Sequence, residues 1–261
     1  MLPPTELVDR AAAQGVNCLS LTDHDTLSSQ AEAAACAHGH GMDFVPGVEV
    51  SITWNGATVH IVGLRVDPDS AVLLEGLAGN RAGRVERARR IAESLAAAGI
   101  AGAFQGAMAH AAHPECVSRT HFARFLVQQG VVKNVKTVFK KFLVKGKPGY
   151  VSHAWASLGD CLAWIRAAGG QAVLAHPGRY AFGKEKLRLL VSEFRDQGGA
   201  ALEVVSGTHT RDQIAHFADM SVEFGLLASV GSDFHAPGEG GRELGRLQPL
   251  PSQCRPVWSA W

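Results

Sequence analysis

The sequence predicts an α/β protein, and three observations carry that prediction. After residue 157, stretches with helical periodicity alternate with short apolar runs, the pattern of parallel strands joined by crossover helices. The apolar runs end repeatedly in His, Asp or Glu, as they do where strand ends converge on a site. With 261 residues, 46% of them hydrophobic, the chain can bury one large core or form one domain carrying an insertion.

The elements follow in order. Pro3, Pro4, Thr5 and Glu6 are helix-start signals, Leu7, Val8 and Ala11 to Ala13 give an apolar face, and Gly15 ends it. "VNCLSL" (16–21) is a short strand, and "SSQAEAAACAHG" (28–39) is a helix opened by Ser and closed by Gly. "DFVPGVEVSITWNGATVHIVGL" (43–64) reads as strands, with Asn55-Gly56 as a hairpin turn. An Arg-rich helix covers about 71–98. Strands follow at 172–177, 200–206 and 225–235, separated by helices at 157–168, 184–197 and 209–224. Residues 100–150 break the alternation. With the preceding helix they read as a helical insertion, so the expected organisation is 1–70 and 151–261 as one α/β part and 71–150 as the insertion.

Composition excludes several classes. A net charge of +1 supplies no global field to recruit nucleic acid or membrane, so any RNA contact must be local, and no DNA specificity is expected. Cys18, Cys36, Cys116, Cys161 and Cys254 are odd in number and show no C-x-x-C spacing, which fits a reducing cytoplasm rather than a disulfide framework. No run of 18 apolar residues is long enough to span a bilayer, and the opening "MLPPTELVDRAAAQG" does not read as a signal peptide.

The strand exits carry the chemistry. One leads to Asp23-His24-Asp25; others carry Glu49, His60, His176-Pro177, and Asp233-Phe234-His235. Imidazole and carboxylate without thiolate suit Zn²⁺, Mn²⁺ or Fe²⁺ better than Ca²⁺. A set of this size can hold two or three ions, and paired ions about 3.5–4 Å apart serve displacement at phosphorus. Taken singly, each residue has a plainer reading. His60 could be a hydrogen-bonded core residue, His176 a strand cap, Asp233 and His235 a surface turn, and Asp25 a helix N-cap. Glu49 is harder to place that way, since burying an unpaired carboxylate costs several kcal/mol.

The motifs "LTDHDT", "GVEVS", "HIVGL", "AHPGRY" and "GSDFHAPG", in this order along nearly the whole chain, resemble the PHP (polymerase and histidinol phosphatase) family of metal-dependent phosphoesterases. "VSRTHFARFLVQQG" and "KGKPGYVSHAW" resemble the branch of 3′,5′-nucleoside bisphosphate phosphatases and enzymes that trim RNA 5′ ends. The resemblance implies a distorted (β/α)₇ barrel with a trinuclear site. It makes His24, Glu49, His60, His176, Asp233 and His235 metal ligands, with Glu49 bridging and with His24, Glu49 and Asp233 central to catalysis. Two to three divalent ions, Mn²⁺ foremost, with Zn²⁺, Fe²⁺ or Mg²⁺ as substitutes, are implied as cofactors.

Family members begin with a strand bearing D-x-H-x-H-S and a turn Asp, whereas this sequence opens on the following helix. The expectation is therefore a barrel without its first strand and a metal site short of three ligands. The retained ligands favour a reading frame begun too late over an inactive descendant. "LPSQCRPVWSAW" likewise stops before the further helix of relatives.

The expected reaction is metal-dependent hydrolysis of a phosphomonoester of nucleoside bisphosphates, extending to the 5′ ends of short RNA. The second phosphate needs a cationic grip, for which Arg119, Thr120, His121, Arg124 and Arg179 are the candidates. The series Arg81, Arg84, Arg87, Arg89, Arg90 and Lys133, Lys136, Lys140, Lys141, Lys145, Lys147 reads as a solvated basic face or as an RNA track. A histidinol-phosphate-type phosphatase and a non-catalytic scaffold of the same fold are the alternatives.

Overall fold

The computed structural model describes residues 2–111, 114–238 and 242–261. The chain divides into two compact units, one formed by Ala78–Trp155 and the other by Leu2–Leu77 with Ala156–Trp261.

The larger unit opens with α1 (Pro4–Ala13), β1 (Cys18–Leu19), α2 (Gln30–Gly39) and β2 (Asp43–Phe44), then β3 (Gly47–Trp54) and β4 (Ala57–Leu64). It resumes with α7 (Leu158–Ala167), β5 (Gln171–Leu174), α8 (Lys184–Asp196), β6 (Ala201–Ser206), α9 (Arg211–Glu223) and β7 (Leu227–Gly231). β1 and β2 form a parallel pair, and the other five strands form one sheet in the order β3-β4-β5-β6-β7. β3, β4 and β5 pair antiparallel, while β5, β6 and β7 run parallel. The parallel part is the expected one, because α8 and α9 supply the crossovers. The expectation was a distorted barrel without its first strand; the described strands form the β1–β2 pair and the five-stranded sheet, and a parallel bridge between His24 and Glu49 links the segment after β1 to β3.

Local chemistry explains the elements that position the site. Asn55 and Gly56 both take positive φ (48° and 76°), so β3 and β4 turn in a tight hairpin. Along β3, Val48, Val50 and Ile52 enter the apolar core, which leaves Glu49 and Ser51 on the opposite face. On α8, Leu187, Leu190, Val191 and Phe194 recur at helical spacing and are buried against the same core. Full burial of each such side chain is worth about 1.5–3 kcal/mol.

The smaller unit holds most of α3 (Ala71–Ala97), with α4 (Ala103–His110), α5 (Arg119–Gln128) and α6 (Val135–Val138). The unit starts within α3 because Leu73 and Leu77 are buried in the core of the larger unit. Its own core gathers Ile91, Leu95, Phe122, Leu126 and Leu143. Gly106 is required on α4, since a Cβ there would lie 2.0 Å from the ring of Phe125. The lysine-rich stretch is not one long helical face. Asn134 caps α6, a wider turn follows at Phe139–Leu143, and Gly146, Pro148 and Gly149 prevent continuation.

Candidate metal centre

The segment after β1 runs beside β3 and is tied to it by backbone. The Asp25 amide donates to the Glu49 carbonyl at 2.9 Å, and the Glu49 amide donates to the Asp23 carbonyl at 3.1 Å. Asp25 is fully buried, has φ of 54°, and accepts the Ser51 amide on Oδ1 at 2.9 Å. It is a clamp on β3 rather than the N-cap considered from sequence, because α2 begins only after Ser29. The clamp sets His24 next to Glu49.

The other strands deliver the remaining groups. His60 lies on β4; its amide donates to the Tyr180 hydroxyl, which in turn donates to the Ala175 carbonyl at the end of β5. His176 follows β5, and its amide donates to Glu203 Oε2 on β6 at 2.9 Å. Asp233 and His235 follow β7. Asp25, His176 and Asp233 are three of the described non-glycine residues with φ in the left-handed region. Such strain collects where surrounding packing holds a functional geometry.

Glu49 is the centre of the arrangement. His24 Nδ1 lies 3.3 Å from its Oε2, while His60 Nδ1 and His176 Nε2 each lie 2.9 Å from Oε1. Burial pushes the Glu49 carboxyl up, but the three rings outweigh it and hold the group well below the usual carboxylate range. The His176 ring is opposed by burial and raised by its bond to Glu49. Glu203 is pushed up to about 7 by burial, against the pull of His176.

These residues fit divalent ions. Glu49 with His24 and His60 forms one group of donor atoms, and Glu49 with His176 and Asp233 forms a second, each within 4.8 Å. One carboxylate is thus common to both groups, and both consist of nitrogen and oxygen only. The ring nitrogens of His60 and His176 stand 3.3 Å apart while aimed at the same oxygen, and the buried Nδ1 of His176 has no hydrogen-bond partner. A cation relieves that crowding of lone pairs and protons. His235 reaches the rim, its ring 6.3 Å from that of His24, but it lies outside both donor groups. Arg179 pairs with Asp233.

Sequence reading passed over Glu203, Tyr180 and His209. Glu203 had the same signal as Glu49, a single acid inside an apolar run. Tyr180 and His209 act through backbone partners that no motif reveals.

Arg119, Thr120 and His121 open α5 and Arg124 lies one turn further along it, in the smaller unit. His121 is only 4% exposed, and its Nδ1 accepts the Ser118 amide at 3.0 Å. Burial and the nearby Arg124 bring its pKa down to about 4. It is a neutral ring that caps α5. Arg119 and Ser118 line a cleft together with Arg84, Arg87 and Trp155. The guanidiniums of Arg84 and Arg87 lie 4.9 and 5.5 Å from the Trp155 ring. Burial, then the charges of Arg119 and Arg84, lower the Arg87 pKa to about 10.

No protein-family model matches the chain. It is 55% identical over 257 residues to the 3′,5′-nucleoside bisphosphate phosphatase of Chromobacterium violaceum, covering 98% of this chain and 90% of that protein. It is 42% identical over 258 residues to a 5′-3′ exoribonuclease of Haemophilus influenzae, covering 99% and 93%. Among solved structures, an amidohydrolase from Chromobacterium violaceum with bound sulfate and no metal superimposes with a TM-score of 0.96 at 53% identity, over 99% of this chain and 90% of that one.

Proposed function

The chain belongs to the family of the 3′,5′-nucleoside bisphosphate phosphatases and 5′-3′ exoribonucleases, and from that premise we propose that it is a metal-dependent phosphoesterase that removes one phosphate from 3′,5′-nucleoside bisphosphates, leaving the nucleoside 5′-phosphate, and also acts at the 5′ ends of short RNA. The observation that carries this reading is Glu49, a buried carboxylate shared by two groups of metal donors.

His24, Glu49, His60, His176, Asp233 and His235 would hold two to three divalent ions, Mn²⁺ foremost. Bound there, the ions supply charge neutralisation at phosphorus and a lowered pKa for water. The chain's own residues do the rest. Glu49 fixes the three rings, and Glu203 fixes the His176 backbone. Arg179, half-exposed beside Asp233, orients a phosphate oxygen. Arg119, Thr120 and Arg124 give the second phosphate its cationic grip, joined by Arg84 and Arg87, which line a cleft with Arg119. His121 acts by holding the start of α5. In this reading the smaller unit is the substrate cap.

The relatives do not favour the histidinol-phosphate alternative or a non-catalytic scaffold. No described helix is long and apolar enough to cross a membrane. The odd number and scattered spacing of the cysteines support a reducing cytoplasm as the working compartment.

The test is hydrolysis of adenosine 3′,5′-bisphosphate and of histidinol phosphate by the purified chain with Mn²⁺, with products separated by ion exchange and bound metal counted. Release of the nucleoside 5′-phosphate is expected. Formation of the 3′-phosphate instead, or turnover of histidinol phosphate alone, defeats the proposal.

A further inference from the structure

We propose that Asp9, Cys36 and His40 form a separate zinc-class metal site that clips α1 to α2. Cys36 and His40 stand four residues apart at the C-terminal end of α2, so their side chains share one face. Asp9 reaches them from α1. His40 Nε2 lies 2.6 Å and Cys36 Sγ 3.5 Å from Asp9 Oδ1, and the three donor atoms fall within 4.8 Å of one another.

The donor chemistry selects the ion. A thiolate with an imidazole and a carboxylate is a set that zinc accepts and that magnesium and calcium do not. It also differs from the centre at Glu49, which contains no sulfur. Four-coordinate zinc with bonds of about 2.0–2.3 Å sets its ligands roughly 3.3–3.7 Å apart. The Cys36–Asp9 separation already matches, and the His40–Asp9 pair must open by less than about 1 Å. That movement needs only side-chain rotation, because the His40 and Asp9 side chains are 41% and 60% exposed.

The backbone beneath is fixed independently. Val8 and Ala11 of α1 are buried in one apolar cluster with Ala33 and Ala37 of α2, and Cys36 packs against that cluster. The donors are therefore brought together by packing before any ion arrives. On binding, the Cys36 S–H bond breaks, its proton goes to water and a sulfur–metal bond forms. Three protein ligands leave the fourth position open to solvent.

Cobalt(II) titration of the full-length, Mn²⁺-loaded protein tests the site, because only a thiolate ligand produces the near-ultraviolet sulfur-to-cobalt charge-transfer band. The expected result is one equivalent bound with that band. Cys36→Ser abolishes it, His40→Ala weakens binding at least tenfold, and Cys18→Ser leaves it intact. Phosphatase activity is unchanged in Cys36→Ser, and zinc raises the melting temperature of the parent chain but not of that variant. Absence of the band at saturating cobalt, or its persistence in Cys36→Ser, overturns the proposal.

Discussion

The amide of Gly178 donates to Nε2 of His209 at 3.1 Å. His209 Nδ1 donates in turn to the Val204 carbonyl at 3.0 Å, which fixes the neutral tautomer; burial lowers its pKa, against the opposing pull of the Val204 bond. The ring thus holds the turn that begins at His176 and carries Arg179. Space is tight, for a Cβ on Gly178 would sit 2.8 Å from the ring.

His209→Ala should leave two backbone groups without these partners and loosen that turn. Supporting residues of this kind typically cost 10- to 100-fold in metal affinity or activity. We expect a fall of about tenfold in kcat/KM with weaker metal retention, and part of both restored in His209→Gln. Metal affinity and kinetics indistinguishable from the parent would remove His209 from the positioning role.

Glu49 makes a sharper prediction. Because it is common to both donor groups, Glu49→Gln should deplete both ion positions together. Asp233→Asn, which belongs to one group, should deplete one. Counting ions per chain after dialysis distinguishes the two variants. A full complement in Glu49→Gln would contradict the shared-carboxylate arrangement.

Much of this was legible in the sequence. The hairpin was readable because Asn55-Gly56 has a specific backbone requirement, and the β5–β7 part because helical and apolar periods alternate cleanly. His24, Glu49, His60, His176 and Asp233 stood out as a set because ionisable residues within or just after apolar runs are costly unless partnered, and the fold brings them together. Other features depend on tertiary contact. Asp25 looked like a cap and is a clamp, since only the neighbouring strand shows what its carboxylate accepts. Arg84 and Arg87 looked like part of a solvated series, and only the position of Trp155 shows that they turn inward. The lysine run suggested one helical face, but its glycines and Pro148 break it.

His121 should make stability depend on pH. Its folded pKa of about 4 lies below the ordinary 6.5, so the unfolded chain binds the extra proton between these values. The contribution is complete above pH 6.5 and is lost as pH falls toward 4. A shift of this size corresponds to at most about 3 kcal/mol. His121→Gln keeps an acceptor for the Ser118 amide and removes the titration. Urea unfolding of the metal-free proteins should therefore show the parent losing stability relative to the variant between pH 6.5 and 4. Parallel pH profiles would contradict this role.

Salt dependence tests the arginine cleft. If Arg84, Arg87 and Arg119 engage phosphates, an RNA substrate makes more such contacts than a mononucleotide, and each contact releases counterions. For a single strand each neutralised phosphate adds about −0.7 to the slope of log affinity against log salt. The slope of log kcat/KM should therefore be steeper for a short 5′-phosphorylated RNA than for adenosine 3′,5′-bisphosphate. Arg87→Ala should flatten the RNA slope by about 0.7 if one contact is lost. The Trp155 face that holds Arg87 would remain, so folding is expected to survive and circular dichroism can verify it. Equal slopes for the two substrates would mean that the cleft does not follow an RNA backbone, and an unchanged slope in Arg87→Ala would exclude that side chain from the contact.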